Sequence, residues 1–313
     1  MQVMLAPRAS AILYSLLVSR SDWLPWLMPA NICPIVPITF LKAGVPFELG
    51  DIDELTLQID LERVAPRLRD GRFGGLLYAH TYGEPSTPHD FFRWLKASSP
   101  ATFIVDDRCL CLPSLEAPSE SSDLTIFSTG QAKVLDLGGG GFGLLRSPAT
   151  YSTPPLVYSE QDLQALEQDY KVTVSAGSRY VYKDTNWLDV GSPIRSWPEY
   201  REQIKEQLPA VMERKAELND IYTRRLPADL QLPSSYQSWR FNIRVPDQRR
   251  VLGAIFAAGL FASGHYASLA GIMAEGQAPA AAALAGQVVN LFNDHHFTQD
   301  MAERVCSVIM EAL

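Results

Sequence analysis

A chain of 313 residues with 47% hydrophobic and 20% charged residues has the composition of a globular protein, long enough for one large domain or two moderate ones. Its formal net charge of −8 argues against a general nucleic-acid binder, while a local site for a small anion remains compatible with it. Four cysteines (Cys33, Cys109, Cys111 and Cys306) form no disulfide framework in a chain this long, which points to buried thiols and a reducing, cytoplasmic setting.

The first apolar run, Ala11–Val18, is too short to span a bilayer and lacks a cleavage site after it, so a buried helix over Ser10–Val18 is expected, and no membrane association. "PANICPIVPITFLKAG" leads from a loop into a short helix that ends before Gly44. "VPFELGDID" reads as a strand, and Asp60 is placed to cap a helix over "LERVAPRLRDG". "GGLLYAHTYG" is a buried strand. Thr87 and Pro88 then stand as N-cap and first residue of the helix "HDFFRWLKA". "ATFIVDD", "DLTIFSTG" and "GFGLLR" complete the strands of this half.

After about residue 150 the pattern changes. "STPPLVYSEQDLQ" has the composition of a connector, and "YKVTVSAGSRYVYKDTNW" reads as irregular. Ser196 and Glu199 form a capping box for a helix whose apolar face includes Tyr200, Ile204, Leu218 and Tyr222, with Lys215 as its one polar member. Pro209 predicts a kink or a break into two helices. "SWRFNIRV" alternates as a strand. "QRRVLGAIFAAG" and "APAAAALAGQVVNLF" read as helices, and Thr298 caps a last one. The expected class is therefore α/β: a mostly parallel sheet flanked by helices over residues 1–190, then a smaller α+β domain over 191–313. In such a sheet ligands sit beyond the carboxyl ends of the strands, where His80, Asp107 and Ser128 fall.

The segment "STGQAKVLDLGGGGFG", Ser128–Gly143, offers two chemistries. Gly138, Gly140 and Gly143 fit G-x-G-x-x-G, but they lead into a short strand, and Pro148, Pro154 and Pro155 block the helix a dinucleotide turn requires. Lys133 precedes the glycines, the reverse of a phosphate-binding loop. An NAD-binding oxidoreductase therefore ranks last, and the glycines read as a turn or a place of close backbone approach. Lys133 instead has three companions: Asp107 ending one strand, Ser128 ending the next, and Ser10 near the start of a helix. Together they suit pyridoxal 5'-phosphate (PLP). The lysine amine forms a Schiff base with the cofactor aldehyde, a carboxylate keeps the pyridine nitrogen protonated, and hydroxyls with helix-end amides hold the phosphate.

At these residues the chain resembles the DegT/DnrJ/EryC1/StrS group of PLP-dependent aminotransferases. That group has the aspartate-aminotransferase (type I) fold and acts mainly on nucleotide-linked keto sugars. "FSTGQAK" resembles its Ser-to-Lys segment, "GGGGFG" the glycines that follow, and "FIVDD" its strand ending in the pyridine-binding aspartate, with Asp107 in register. "PANICPIVPITFLKAGVPFELGDID", "LLYAHTYGEPS" and "GLFASGHYASL" resemble further blocks, so the similarity runs through most of the chain. The resemblance implies a homodimeric PLP enzyme that moves an amino group from a donor such as glutamate to a keto sugar. Lys133 and Asp107 would be catalytic, and Ser128 and Ser10 would bind phosphate. Arg8-Ala9-Ser10 stands where the family has Ser-Gly-Thr, so Ala9 joins the phosphate site. Cys33 replaces an aromatic that stacks on the cofactor, and Leu110 replaces a Gln or His. His80 would border the cofactor. Asn186, in "DTNWLDVG", is the candidate to reach a partner subunit's phosphate. Arg240 is placed either to meet a substrate carboxylate or as an exposed strand residue. The altered residues also suit a PLP-binding homologue with a regulatory role and no turnover.

Overall fold

The computed structural model describes residues 1–20, 22–116, 120–146 and 151–313. Pro148, invoked above as a helix blocker, lies outside the described residues. The strand–helix alternation of the first half builds one seven-stranded sheet. Its strands are β1 (Gln2–Ala6), β2 (Trp26–Pro29), β3 (Phe47–Gly50), β4 (Gly75–Ala79), β5 (Phe103–Asp107), β6 (Leu124–Ser128) and β7 (Gly141–Leu145). They lie in the order β1-β7-β6-β5-β4-β2-β3. The pairings from β3 to β6 are parallel, and β7 runs antiparallel to both its neighbours. Central strands β4 and β6 are buried at every position, as a sheet covered on both faces requires. The expected α/β class is the one observed. β1 and β2 went unpredicted because each is a short, mostly apolar run without the alternation that marks a half-exposed strand.

Helices cover the sheet: α1 (Ala9–Val18), α2 (Ile35–Ala43), α3 (Leu61–Arg69), α4 (His89–Ser98) and α5 (Glu160–Ala176). α1 is buried continuously from Ala11 to Leu17, which accounts for its unbroken apolar sequence. Gly44 closes α2 in the left-handed conformation, and the Asp60 carboxylate accepts the Arg63 backbone N–H at the start of α3. α4 begins one residue later than expected, with Pro88 as its N-cap. The connector reading of residues 152–164 is corrected. Ser159 caps α5 by accepting the Asp162 N–H, so the helix begins inside that segment and runs on through residues read as irregular.

α6 (Trp197–Arg225) starts at the expected capping box and continues as one helix through Pro209, where a kink or break was expected. Its first turns pack Tyr200 and Ile204 against Phe127 and Phe142 of the large sheet. Its last turns pack Leu218 and Tyr222 into a second core. That core sits on a small antiparallel sheet of β8 (Phe241–Arg244), β10 (Val288–Leu291) and β9 (Ala262–Ser263), with α7 (Gln248–Ala257) and α9 (Gln299–Ala312) against it. The long alanine-rich helix is a second correction: α8 (Pro279–Ala285) ends at Gly286, and "VVNL" is β10. Lys215 lies buried in α6, its Nζ donating to the Trp239 carbonyl at 2.9 Å and to Asn293 Oδ1 at 2.8 Å. Burial, reinforced by the nearby Arg240 charge, pushes its amine down to about 7.

One close approach sets the sheet's first layer. A Cβ on Gly141 would meet the Ala9 backbone N at 2.5 Å and its Cα at 2.7 Å. Gly141→Ala should therefore cost about 2 kcal/mol or more, because backbone must move rather than a flexible side chain. Gly191→Ala, with nothing within 4 Å of its added Cβ, should stay within about 0.5 kcal/mol of the parent. Urea unfolding midpoints compare the two; equal effects would contradict the packing argument.

Candidate active site

Because β4, β5 and β6 run parallel, their carboxyl ends share one edge of the sheet. The backbone stitches that edge: His80 N–H donates to the Asp107 carbonyl at 3.0 Å, and Arg108 N–H to the Ile126 carbonyl at 2.9 Å. Across the sheet, Ala6 pairs with Gly141 and Gly141 with Ser128. The start of α1 and the end of β6 are thus two strands apart, with only a glycine between them. Gly141 lets Ala9 settle close, which brings the free N–H groups of the first turn of α1 beside Ser128. α1 has no side-chain cap and no acidic residue in that turn, so its N-terminal dipole is uncompensated.

The loop from β6 to β7 carries Lys133. Its base is closed by Thr129 N–H to the Gly140 carbonyl at 3.0 Å and Leu137 N–H to the Thr129 carbonyl at 2.9 Å. Gly140 N–H donates to the Pro7 carbonyl at 2.8 Å, tying the loop to the start of α1. The Thr129 hydroxyl bonds both the Gly139 carbonyl and the Tyr200 hydroxyl. Gly140 sits at φ +97°, and a Cβ there would stand 2.8 Å from the Tyr200 oxygen. At the tip, the Trp239 indole N–H donates to the Ala132 carbonyl at 2.7 Å, where Ala132 adopts φ 59°. A residue of the second half therefore pins the peptide just before Lys133, and Lys215 in turn holds the Trp239 carbonyl.

A cavity of about 790 Å³ opens at this edge. Seven of the eight predicted site residues line it: Ala9, Ser10, Cys33, His80, Asp107, Ser128 and Lys133. Asn186 does not. Its backbone N–H donates to Asp162 at 2.8 Å and its carbonyl accepts from Ser159 N–H at 2.7 Å, which fastens the start of α5.

The two aspartates of "FIVDD" separate by strand alternation. Asp107 lines the cavity, with Oδ1 accepting the Cys109 N–H at 3.0 Å. Asp106 is fully buried, one oxygen on His80 Nε2 at 2.6 Å and the other accepting from Arg108 Nε at 3.0 Å. Burial acts to raise the Asp106 carboxyl, but the His80 and Arg108 contacts outweigh it and hold it below the usual carboxylate range. His80 also contacts the Glu84 carbonyl through Nδ1 at 2.7 Å, so both its ring nitrogens are engaged within the protein. It borders the cavity as a brace. Arg108 continues the network to the Pro85 carbonyl and Thr87. Burial raises the Cys109 thiol well above its ordinary value, with Asp107 adding to the effect.

Several lining residues escaped the sequence reading. Arg8 had been noted only as a departure from a family pattern, yet it faces the cavity. Leu163 and Tyr170 come from α5, which was read as loop. Tyr266 lines the cavity and stacks on Trp239 with rings 6.1 Å apart and 8° from parallel. Arg240 is not the exposed strand residue that was one of its two readings, and it does not line the cavity. It is buried, paired with Asp294 at 2.5 Å, with its guanidinium 3.5 Å from the Phe292 ring centre. Among the described residues no cluster has metal-binding composition, and no helix is long and apolar enough to cross a membrane.

No family model matches the chain, and no curated protein matches it in sequence. Solved structures match it over nearly its whole length. A DegT DnrJ EryC1 StrS aminotransferase from Brucella abortus is 14% identical with a TM-score of 0.69, covering 99% of this chain and 86% of its own. The sugar aminotransferase CalS13 from Micromonospora echinospora is 17% identical with a TM-score of 0.70, covering 99% and 87%. The PLP-form of Spr1654 from Streptococcus pneumoniae is 14% identical with a TM-score of 0.71, covering 99% and 88%. At these identities the likeness establishes the fold: this chain is built as the type I PLP-dependent aminotransferases are.

The buried network gives a pH signature. Replacing Asp106 by Asn leaves Arg108 and His80 without their buried anion and should cost about 3–5 kcal/mol. A carboxyl held below its unfolded value of about 4 contributes fully above that pH and loses its contribution as pH falls through the folded value. The stability gap between parent and Asp106→Asn should therefore be constant from neutral pH down to about 4 and narrow below it. Denaturant titrations across that range measure the gap; a gap that does not narrow in acid would show that Asp106 is not held ionised by these contacts.

Proposed function

We propose that this chain is a PLP-dependent aminotransferase of the DegT/DnrJ/EryC1/StrS type. The observation that carries the reading is the convergence of Lys133, the Asp107 carboxylate at the end of β5, the Ser128 hydroxyl and an uncapped helix start on a single cavity at a parallel sheet edge. The donor set fits the cofactor. Lys133 offers a primary amine from a pinned loop, Asp107 an acceptor for a pyridinium N–H, and Ser128, Ser10 and the Ala9 amide hold a phosphate. The gap that Gly141 leaves beneath Ala9, which any Cβ would fill, gives that end of the cavity its close backbone floor. The fold neighbours include sugar aminotransferases, one of them in a PLP-form, and this supports the same assignment.

When bound, PLP supplies an electron sink for a carbanion at the α-carbon of an amino donor. Lys133 would hold the cofactor through its amine and, once freed, would carry the proton from the donor α-carbon to the cofactor's C4′ carbon. Asp107 would keep the ring nitrogen protonated, while His80 and Arg108 occupy the neighbouring Asp106 carboxylate. Ser128, Ser10 and the first amides of α1 would hold the phosphate end. The amino group would pass from a donor such as glutamate to a keto sugar, nucleotide-linked as in the resembling family. Residues 1–190 would form the cofactor-binding domain and 191–313 the smaller domain, in a homodimer where Asn186 reaches the partner's phosphate site. Four cysteines without a disulfide suit a cytoplasmic enzyme.

Purified protein mixed with PLP should develop a visible absorbance band. Borohydride should then fix the cofactor to the tryptic peptide containing Lys133, and Lys133→Ala should lose both. Added glutamate should release 2-oxoglutarate in an amount stoichiometric with protein. PLP uptake without that release would replace the aminotransferase reading by a binding role, and no uptake would end it.

A further inference from the structure

Arg8 is the N-cap residue of α1 and a wall of the cavity, together with Ser10 and Ser128. Its backbone serves the helix, since its carbonyl accepts the Ala11 N–H at 3.0 Å. Its guanidinium does not serve the fold in the same way. Nη1 is enclosed by protein and has no hydrogen-bond partner, and among the described residues Arg8 makes no ion pair with any Asp or Glu. An arginine is always charged, and an enclosed donor left without an acceptor carries a desolvation cost. The carboxylates that share the cavity wall, Glu160, Glu167 and Asp189, do not take it up. Burial raises the Tyr158 and Tyr170 hydroxyls, and the Arg8 charge acts on both in the opposite direction, so it is felt on this side of the cavity. Three independent features therefore meet at one end of the cavity: an uncapped helix start, a buried Ser128 hydroxyl, and a cation with an unmet donor.

We propose that Arg8 completes a site for a phosphate monoester dianion, contributed by the cofactor, and supplies the charge-assisted contact that sets how tightly the phosphate is held. This rests on the PLP reading above. A dianion with three acceptor oxygens can take hydrogen bonds from the α1 amides, the serine hydroxyls and a guanidinium together, whereas a neutral group could not use the fork. Glu160, Glu167 and Asp189 line the same cavity, and their charge makes a cation beside the phosphate the more needed, because they repel an anion that enters. Arg8 also stands at a position where the resembling family has a serine, so the contact is a property of this chain.

The test compares PLP with pyridoxal, which has the same aldehyde and ring but no phosphate. Both are titrated by absorbance into cofactor-free parent, Arg8→Gln and Arg8→Lys. Arg8→Gln should weaken PLP by about 10-fold or more while pyridoxal changes by less than about twofold. Arg8→Lys, which keeps the charge but not the fork, should fall between for PLP and match the parent for pyridoxal. Thermal unfolding of the cofactor-free proteins checks folding; if Arg8→Gln does not fold, the Arg8→Lys comparison decides. Equal loss for both ligands, or no loss for either, would overturn the proposal, as would a defect confined to amino-donor affinity. Failure of the parent itself to bind PLP would instead reject the functional reading on which it rests.

Discussion

Where Ala9 crosses Gly141, a side chain of any size would press into backbone. That contact governs the geometry of the whole site. β1 and β6 are separated only by β7, and the residue of β7 aligned with both Ala6 and Ser128 is a glycine. α1 can therefore begin directly over the strand end and bring its free amides beside Ser128. The same short stretch of glycines closes the loop that presents Lys133, through Gly140 and its bonds to Thr129 and Pro7. The glycines do not touch a nucleotide in this account. They let two backbones meet so that a lysine, a serine and a helix start share one cavity.

A second constraint is the management of charge at the end of β5. Two adjacent aspartates cannot both remain free at such a site without cost. Strand alternation turns Asp106 away from the cavity, where His80 and Arg108 satisfy both its oxygens. Asp107 is left as the carboxylate that faces the cavity. The fold thereby distinguishes two chemically identical residues by one step of the pleat. His80 lines the cavity while both its ring nitrogens are engaged in this support. Trp239 plays the matching part for Lys133, reaching from the small-sheet half to the Ala132 carbonyl.

Much of this was legible from the chain itself. The spacing of Ser128 and Lys133, the apolar strands ending in His80 and Asp107, and the capping signals at Asp60, Ser196 and Thr298 all follow local rules. What was not legible depended on burial or on distant partners. β1 and β2 are five- and four-residue, mostly apolar runs with no period to read. α5 hid behind Pro154 and Pro155 because its cap, Ser159, lies just past them. β10 followed α8 after a single glycine break and shared its apolar character. Asn186 does not line this chain's cavity, and its backbone fastens the start of α5, which its motif position did not announce. Arg8 looks like a simple mismatch in sequence, and its place among the cavity-lining residues depends on the packing of distant elements. Arg240 likewise could not be assigned without knowing that Asp294 and Phe292 enclose it.

The central claim is that this cavity holds one PLP molecule, anchored at Lys133. Its most direct test is a crystal structure of the full chain grown with PLP. The account predicts density continuous with Lys133 Nζ, a phosphate lodged between Ser128 and the first turn of α1, and a ring nitrogen facing Asp107. Density joined to a different lysine, or a cofactor bound outside this cavity, would contradict it.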